Sequence, residues 1–474
     1  MSQAGAASFV VVANRLPVDR VPNADGGAEW RTSPGGLVSA LSPVMRQHDG
    51  TWVGWSGAAD EEFGHFEAEG LHLVSVKLSA DEVANFYEGF SNGTLWPLYH
   101  DLAAEPKFVR EWWDSYRVVN RRFADIVAAE AGPRATVWVQ DYQLQLVPQM
   151  LRSSRPDLRI GFFNHIPFPG FEIFSQLPWR RQIIEGLLGA DLIGFQRGDD
   201  ASNFLRACRR LAQVTTRGSV IAMRPGPAGR RRLRAGAFPI SIDAAEFEAL
   251  ARQPEIQARA RQIRSDLGDP EMVLLGVDRL DYTKGIRHRL RAYGELLDDG
   301  DLDPAHAVLV QVASPSRDRV EEYRRLREEV ETMVGHINGE HSSLGKTAIR
   351  YLHQSFPKEE MAALYLAADV MIVTPLRDGM NLVAKEFVAC HFDLDGVLVL
   401  SEFTGAADEL RQALMVNPHD IDGMKAAIVE AGRLSRRQKS QRMRSLRRRV
   451  AEFDVHHWAN TFLGALDMVI DDSG

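Results

Sequence analysis

The chain of 474 residues has few cysteines and no long apolar run, and both features limit the kinds of protein it can be. Only Cys208 and Cys390 are present, without a CxxC pair, so neither a disulfide framework nor a cysteine-based zinc site is expected. No run of eighteen apolar residues occurs, and residues 1–15 have no basic region before their short apolar stretch. We therefore expect a cytoplasmic protein without a membrane segment or secretion signal.

The chain also lacks the excess of positive charge that is typical of nucleic-acid-binding proteins. The formal net charge of −8 at pH 7 argues against a protein whose main partner is nucleic acid. Two basic tracts, residues 229–234 and 436–449, lack interleaved aromatic residues. We interpret them as solvated surface on a linker and on a helix. Hydrophobic residues at 45% and charged residues at 25% are typical of a globular protein, and the length predicts about two or three domains.

Short apolar runs alternate with longer amphipathic stretches along most of the chain, which is the pattern of βαβ units. Most runs are apolar on both sides, as in parallel strands that helices cover on both faces. The runs are residues 8–14, 71–78, 135–141, 159–165, 190–196, 272–278, 307–313, 348–354, 369–375, 396–402 and 413–418. We therefore predict an α/β protein with doubly wound parallel sheets.

The pattern restarts near residues 236–247, after the Arg/Gly/Pro-rich segment 224–236. The boundary placed there gives a Rossmann-like domain over residues 1–238 and a second one over residues 239–453. The amphipathic end, residues 454–474, is predicted as a helix that crosses back to the first domain. The two domains are expected to face a cleft, and ligands of such sheets bind beyond the carboxyl ends of the strands.

The segment "DRLDYTKG" follows a predicted strand in the second half and carries two cations, Arg279 and Lys284. A guanidinium fork and a compact ammonium together match a diphosphate. The alternative interpretation is a pair of surface cations with Asp278 and Asp281 as local partners.

The segment "LRDGMNLVAKEF", residues 376–387, also follows a strand and leads into a predicted helix. The first amides of a helix lack internal partners and favour phosphate oxygens, and Gly379 lets the backbone approach a ligand closely. Glu386, about two helical turns beyond Asp378, can accept hydrogen bonds from a ribose diol. Alternatively, Asp378 caps the helix and Glu386 lies on a solvated face. Together with the cationic segment, this one predicts a nucleotide-diphosphate site.

Several candidates in the first half also lie just beyond strands. Arg15 follows the opening strand, and Gly35 and Gly36 precede a predicted helix as a phosphate cradle or a simple turn. The pair is not part of a GxGxxG motif, which disfavours a nicotinamide dinucleotide. Asp141 can bind sugar hydroxyls or act as a base. His165, before two prolines that stiffen its loop, is either structural or catalytic.

Two aromatic residues of the first half, Tyr87 and Trp96, lie in a polar, glycine-containing stretch that we predict as a loop. Their rings either stack on a sugar or pack the loop.

Eight segments occur in a fixed order along the chain: "NRLP", "SPGGL", "SNGTLWPLYH", "VWVQDYQLQLVP", "FFNHIPFP", "GVDRLDYTKG", "ASPSR" and "TPLRDGMNLVAKEF". Together they resemble the trehalose-6-phosphate synthase family over about residues 8–468. The resemblance implies the GT-B fold of twin Rossmann-like domains. It also implies transfer of glucose from a nucleotide sugar to glucose 6-phosphate in trehalose biosynthesis and the stress response. The transfer would proceed with retention at the anomeric carbon and need no metal or other cofactor.

The resemblance also implies roles for individual residues. The donor site would comprise Gly35, Gly36, His165, Arg279, Lys284, Asp378, Gly379, Met380, Asn381, Leu382, Val383 and Glu386. The acceptor would be held by Arg15, Tyr87, Trp96, Asp141 and Arg317. The expected catalytic residues are Arg279, Lys284, Asp141 and His165. Small-molecule substrates and a homodimer or homotetramer are expected, with no nucleic-acid or membrane partner.

The sequence offers no evident carboxylate pair for double displacement. We therefore predict front-face transfer, in which the leaving phosphate takes the proton of the acceptor. Two departures from the family pattern, Ser355 where some relatives carry histidine and Asn164 in place of a leucine, leave the base open between uridine and guanosine, with uridine favoured.

Two alternative functions are disfavoured by the residues that the chain retains. A pseudo-glycosyltransferase that couples a nucleotide-activated cyclitol to a phosphorylated acceptor is disfavoured, because the acceptor residues are retained. A catalytically silent regulatory module is disfavoured by the presence of Arg279, Lys284 and Glu386.

Overall fold

The computed structural model of the chain describes residues 7–22, 28–33, 36–224, 231–317 and 319–471. The chain divides into two compact units. Unit 1 comprises Met1–Ile240 and His456–Gly474, and unit 2 comprises Ser241–Val455. The boundaries predicted after residues 238 and 453 each lie two residues before these divisions.

The elements of unit 1 follow in chain order. The strands are Ala7–Arg15 (β1), Val18–Pro22 (β2), Ala28–Thr32 (β3), Thr51–Trp55 (β4), His65–Ala68 (β5), Leu71–Ser75 (β6), Ala131–Gln140 (β7), Arg159–Phe163 (β8), Leu192–Phe195 (β9), Thr215–Arg217 (β10), Val220–Ala222 (β11) and Arg232–Ala237 (β12). The α-helices are Gly36–His48 (α1), Ala80–Glu82 (α2), Trp96–Tyr99 (α3), Arg110–Glu130 (α4), Val147–Ser154 (α5), Phe171–Phe174 (α6), Arg180–Leu187 (α7) and Gly198–Leu211 (α8). A π-helix spans Val83–Leu95, and a 3₁₀ turn spans Tyr142–Leu144.

The main sheet of unit 1 has the strand order β10-β11-β12-β9-β8-β7-β1-β4-β6-β5. Neighbouring strands from β12 to β6 run parallel, whereas β5, β10 and β11 add antiparallel edges. Starting from β1, the chain winds outward through β4 and β6 on one side and through β7, β8 and β9 on the other. The direction of winding therefore reverses between β1 and β7, and ligands bind beyond the carboxyl ends of strands at such a switch point.

The elements of unit 2 follow in the same way. The strands are Met272–Arg279 (β13), Ala307–Ser314 (β14), Ile349–Leu352 (β15), Val370–Val373 (β16), Val397–Ser401 (β17) and Leu414–Val416 (β18). The α-helices are Ala244–Ala251 (α9), Pro254–Asp266 (α10), Ile286–Asp298 (α11), Glu321–His341 (α12), Lys358–Ala367 (α13), Leu382–Cys390 (α14), Ala406–Glu409 (α15), Ile421–Arg433 (α16) and Arg436–Glu452 (α17). A 3₁₀ turn spans Tyr282–Lys284.

The sheet of unit 2 is parallel throughout, in the order β15-β14-β13-β16-β17-β18. This is the doubly wound order, with its switch point between β13 and β16. Residues of β14, β16 and β17 are almost entirely buried, as continuous apolar runs require when helices cover both faces. The predicted fold class, with a doubly wound Rossmann-like sheet in each unit, is therefore confirmed.

The last helix, Val455–Asp471 (α18), belongs to unit 1 from His456 onward. The rings of Trp458 and Phe462 lie 5.0 and 4.8 Å from that of Trp138 in β7. Phe462 also fills the space over Gly161 and Gly194, where an added Cβ would lie 2.8 Å from its ring. These two glycines of neighbouring strands admit the aromatic ring, so the last helix returns to the first unit as predicted.

The structure corrects two local predictions. The stretch that holds Tyr87 and Trp96 is helical rather than a loop, because its apolar side, including Phe86 and Phe90, is buried in unit 1. The first basic tract lies partly in the sheet rather than on a linker, since β12 begins within it. The second tract lies on α17, as predicted.

Gly285 precedes α11 with a φ of 65°, and an added Cβ would lie 2.0 Å from the Thr374 carbonyl oxygen. We expect Gly285→Ala to lower the free energy of unfolding by about 2–4 kcal/mol, through left-handed strain and this clash together. Gly300→Ala is the control, because Gly300 has a φ of 74° with nothing within 4 Å of its Cβ position. It should lose about 1–2 kcal/mol. Urea unfolding compares the two, and equal losses would show that the close contact is immaterial.

Candidate active site

The predicted donor cations of unit 2 lie at the switch point of its sheet. Arg279 ends β13, and Lys284 ends the 3₁₀ turn that follows. Asp378 comes five residues after β16, the neighbour of β13. Because the two strands are adjacent and parallel, the segments beyond them meet, and Lys284 Nζ donates a hydrogen bond to Asp378 Oδ2 at 2.7 Å.

Helix α14 begins at Leu382, and its cap is Asn381 rather than Asp378. The Asn381 side chain accepts a hydrogen bond from the Ala384 amide at 3.0 Å. The alternative in which Asp378 caps the helix is therefore wrong. The Leu382 and Val383 amides occupy the first two helical positions, which have no intrahelical partners. The predicted donor residues Gly379 and Met380 precede the helix, in the turn that joins Asp378 to the cap.

Asp281 is a buried carboxylate that interacts electrostatically with the cations of this site. One of its oxygens lies 3.8 Å from the Arg279 guanidinium and 3.5 Å from that of Arg317, and it accepts a hydrogen bond from Tyr323 Oη at 3.1 Å. Burial raises the pKa of Asp281, but the charges of Arg317, Arg279 and Lys284 outweigh this effect and hold it at about 2. Sequence reasoning treats Asp281 only as a partner of surface cations, because its complete burial has no sequence signal.

The two arginines beside Asp281 differ in exposure. The Arg279 side chain is 44% exposed, whereas that of Arg317 is 5% exposed and donates to Tyr323 Oη. The Arg279 guanidinium is therefore accessible from solvent, while Arg317 is enclosed. Arg317 also belongs to unit 2, unlike the other predicted acceptor residues.

Glu386 lies on α14, one turn beyond the start of the helix, and accepts a hydrogen bond from Tyr365 Oη at 2.7 Å. Burial raises the pKa of this carboxyl above its ordinary value, while the bond from Tyr365 lowers it. Tyr365 orients the carboxylate and is a residue that sequence reasoning misses, since it lies within an unremarked helix, α13.

In unit 1, Arg15 and Tyr87 both contact Trp55, which ends strand β4. The Arg15 guanidinium lies 5.2 Å from the centre of the indole, and the Tyr87 ring lies 5.7 Å from it. Arg15 also pairs with Asp19 at 2.6 Å. The structure thus brings two predicted acceptor residues together through a tryptophan that was not among the candidates.

Asp141 and His165 follow the neighbouring strands β7 and β8 and are in direct contact. The Asp141 carboxylate accepts a hydrogen bond from the His165 amide at 3.1 Å. Asp141 has a φ of 73°, an unfavourable conformation for a residue with a Cβ that is often found at functional sites. The buried Trp96 ring lies 5.7 Å from the ring of Tyr142, the next residue after Asp141. Gly36 begins α1, and Gly35 lies outside the described residues.

The imidazole of His165 lies against the rings of Phe163 and Trp458, at 4.6 and 6.1 Å. Its burial lowers the pKa of His165 from 6.5 to about 3, so the side chain is neutral at physiological pH.

This low pKa makes a prediction for acid stability. Unfolding takes up a proton between pH 6.5 and about 3, because the unfolded histidine has the higher pKa. The free energy of unfolding should therefore fall as the pH is lowered through this window, by up to about 1.4 kcal/mol per pH unit from this group. Urea unfolding at several pH values should give a shallower slope for His165→Gln than for the unchanged protein. Parallel slopes would contradict the neutral state of His165 in the folded protein.

Other features of the described residues do not contain the predicted site residues. Cavities of about 570 and 300 Å³ lie in unit 1, the larger beside the end of α8 and the smaller beside Trp30. Asp298, Glu340 and His341 bring potential metal-ligand atoms within 4.8 Å of one another near the surface of unit 2. Within the ranges that the structure covers, no helix has the length and apolar character needed to cross a membrane.

Comparison with known proteins identifies the family of the chain. The profile of glycosyltransferase family 20 matches residues 7–468. Trehalose-6-phosphate synthases of Mycolicibacterium gilvum and Mycolicibacterium smegmatis are 57% and 56% identical to the chain over 470 and 466 residues. These matches cover 97% and 98% of the chain and 93% of each relative.

Solved structures match in fold as well. An alpha,alpha-trehalose-phosphate synthase (UDP-forming) from Burkholderia xenovorans, in complex with glucose-6-phosphate, superposes with a TM-score of 0.88 at 33% identity. An E. coli structure described as bound with UDP-2-fluoro glucose gives a TM-score of 0.86 at 34% identity. Each match covers 97% of this chain and 99% of the other. The chain therefore belongs to glycosyltransferase family 20 and is a glycosyltransferase of the trehalose-6-phosphate synthase group, with the GT-B fold.

Proposed function

We propose that the enzyme transfers glucose from UDP-glucose to glucose 6-phosphate with retention, giving α,α-trehalose 6-phosphate and UDP. The observation that carries this proposal is the cluster of Arg279, Lys284 and the start of α14 at the switch point of unit 2. The Burkholderia xenovorans neighbour, described as UDP-forming, supports uridine as the base. Its bound glucose-6-phosphate supports the acceptor.

The cluster suits a leaving diphosphate on electrostatic grounds. Negative charge builds on the diphosphate as its bond to glucose breaks, and fixed donors aimed at that charge lower the barrier. Arg279 supplies a guanidinium fork and Lys284 a compact ammonium. The ammonium has three hydrogens, so it can donate one to a phosphate oxygen while another stays hydrogen-bonded to Asp378. The Leu382 and Val383 amides add the positive end of a helix.

The remaining donor residues suit the sugar and the ribose. Asp378 beside Lys284 is the proposed partner of the glucose hydroxyls, and Gly379 leaves room for the ligand beside the backbone. Glu386, oriented by Tyr365, is the proposed acceptor of hydrogen bonds from the ribose diol. Together they distinguish a nucleotide sugar from a bare diphosphate.

Residues of unit 1 suit the acceptor. Arg15, with its guanidinium over Trp55, is the proposed partner of the 6-phosphate, and Tyr87 on the same indole can pack against the sugar. Asp141 is the proposed partner of the acceptor hydroxyls. Arg317 of unit 2 is also proposed to bind the acceptor, through guanidinium N–H groups that Tyr323 does not use.

The low pKa of His165 favours front-face transfer. A histidine whose pKa is about 3 is a weak base, so it is poorly suited to take the proton of the acceptor hydroxyl. In front-face transfer, the hydroxyl approaches the face that the diphosphate leaves, and a diphosphate oxygen takes that proton. The new bond then forms on the side of the old one, which gives retention.

The arrangement of cations also predicts catalysis without a metal, because Arg279 and Lys284 can take the position that a divalent cation has in many nucleotide sites. We expect kcat to change less than about twofold when EDTA is added to metal-depleted protein, compared with assays that contain Mg²⁺. Release of nucleoside diphosphate measures the rate. A loss of more than tenfold that Mg²⁺ restores would contradict this prediction.

The proposed function is tested by supplying glucose 6-phosphate with UDP-, GDP- or ADP-glucose in turn. Nucleoside diphosphate release gives the rate, and NMR of the product gives the anomeric configuration of both glucoses. UDP-glucose should give the highest kcat/KM, and both anomeric centres should be α. Preference for GDP-glucose would correct the base alone, whereas absence of turnover with every donor would refute the function. Light scattering tests the expected homodimer or homotetramer.

A further inference from the structure

We propose that Gln196 is a positioning residue that sets the tautomer of His165, so that the neutral imidazole carries its proton on Nε2. The proposal deepens the proposed function, because it concerns a histidine predicted to lie beside the transferred glucose. Gln196 follows β9 directly and is buried.

A backbone amide fixes the orientation of the Gln196 side chain. Its Oε1 accepts a hydrogen bond from the Ile240 amide at 2.9 Å, and its Nε2 lies 3.4 Å from His165 Nδ1. The Ile240 amide can only donate, so the oxygen of Gln196 must face it. The Gln196 amide nitrogen therefore faces the histidine, where it can also only donate.

The orientation of Gln196 determines where the histidine proton lies. Since a donor faces Nδ1, this nitrogen must offer a lone pair, and a neutral imidazole then carries its proton on Nε2. Nε2 lies 2.8 Å from Gln140 Oε1, a suitable acceptor. A protonated imidazole would instead direct a second hydrogen at the amide of Gln196. The hydrogen bonds therefore run in one direction, from Ile240 through Gln196 and His165 to Gln140.

The surroundings of these hydrogen bonds keep their donor-to-acceptor direction fixed. Gln140 and Gln196 are both buried, so water competes little for their amides. The ring of His165 is flanked by Phe163 and Trp458, which cannot exchange protons with it.

Two consequences follow for the reaction. Nε2 is a donor that Gln140 already occupies, so His165 orients and packs rather than abstracting a proton. Ile240 is the last residue of unit 1 before the chain enters unit 2. The Ile240 amide, at the point where the chain passes from unit 1 to unit 2, therefore determines through Gln196 which nitrogen of His165 carries the proton.

The replacement Gln196→Glu tests the proposal, because it keeps an oxygen for Ile240 and turns the donor that faces His165 into an acceptor. The exposed replacement Gln213→Glu is the matched control. Two-bond ¹H–¹⁵N correlation spectra of protein labelled in histidine report the tautomer, and His165→Gln identifies the signal. We expect Nε2–H in the unchanged protein and in Gln213→Glu. In Gln196→Glu we expect Nδ1–H or imidazolium, with kcat lower by about 10- to 100-fold and little change in KM.

The outcomes separate this proposal from the proposed function. An Nδ1–H tautomer in the unchanged protein, or an unaltered tautomer in Gln196→Glu, overturns the assignment to Gln196. A changed tautomer with unchanged kcat overturns its importance for turnover. Full activity of His165→Gln would instead remove the histidine from the proposed mechanism. If Gln196→Glu does not fold, Gln196→Met removes the donor without adding charge, and a mixture of tautomers is then expected; pure Nε2–H would overturn the proposal.

Discussion

Replacement of Lys284 by alanine is expected to lower kcat by about 100- to 1,000-fold while the protein remains folded. The ammonium is held at 2.7 Å from Asp378 and the side chain is only 11% exposed, so water in the space left by alanine would not supply an equivalent fixed positive charge. Loss of one preorganised charge in an active site has an effect of this size. Stopped assays of nucleoside diphosphate release measure kcat, and circular dichroism monitors the fold.

Lys346→Ala is the control for the removal of a lysine, because Lys346 is exposed and its ammonium donates a hydrogen bond to the Ala305 carbonyl oxygen. Its kcat should be unchanged. If Lys284→Ala turned over at a near-normal rate, charge stabilisation at the switch point would not explain catalysis.

The largest expected change in stability belongs to Arg289, whose side chain is completely buried on α11. It donates to Asp278 at the end of β13 and to the Ile372 carbonyl in β16, the strands on either side of the switch point. Arg289→Met should lower the free energy of unfolding by about 3–5 kcal/mol, because it leaves the carboxylate of Asp278 buried without its partner. Urea unfolding measures the change.

Two further variants define the cause of that change. Arg291→Met lies on the same helix, but Arg291 is 64% exposed and pairs with Glu295, so its loss should be below about 1 kcal/mol. The double variant Arg289→Met with Asp278→Asn removes both charges and should recover part of the loss. A double variant no more stable than Arg289→Met alone would refute the assignment to an unpaired carboxylate.

Most of the parallel strands were predictable, because strands covered on both faces leave apolar runs in the sequence, but β4 and β12 were not predicted. Strand β4 carries a weaker signal, since Gly54 interrupts its five residues. The structure explains this glycine: an added Cβ would lie 2.7 Å from the backbone of Arg15 in the neighbouring strand. The edge strands are short and polar, so they leave little signal in the sequence. The stretch Val83–Leu95 contains glycines, which disfavour a helix, but packing against α4 stabilises the helix that forms there.

The chemistry of unit 2 was predictable as far as residue types and strand ends determine it. Arg279, Lys284 and Asp378 could be assigned to strand ends from the sequence, whereas the adjacency of β13 and β16 could not. The buried position of Asp281 could not, since a charged residue is usually exposed and only its three cationic neighbours make burial tolerable. The hydrogen bonds of His165 also depend on Gln196 and Ile240, which are distant in sequence.

The return of α18 to unit 1 has a consequence for synthesis on the ribosome. The aromatic surface of Trp138 and Phe163 is covered by Trp458 and Phe462, which are translated only after the whole of unit 2. At about 5–20 residues per second, the nascent first unit waits on the order of 10–40 s with this surface open. Chains that end before Trp458 would therefore leave this aromatic surface uncovered, even when every residue of the proposed active site has been translated.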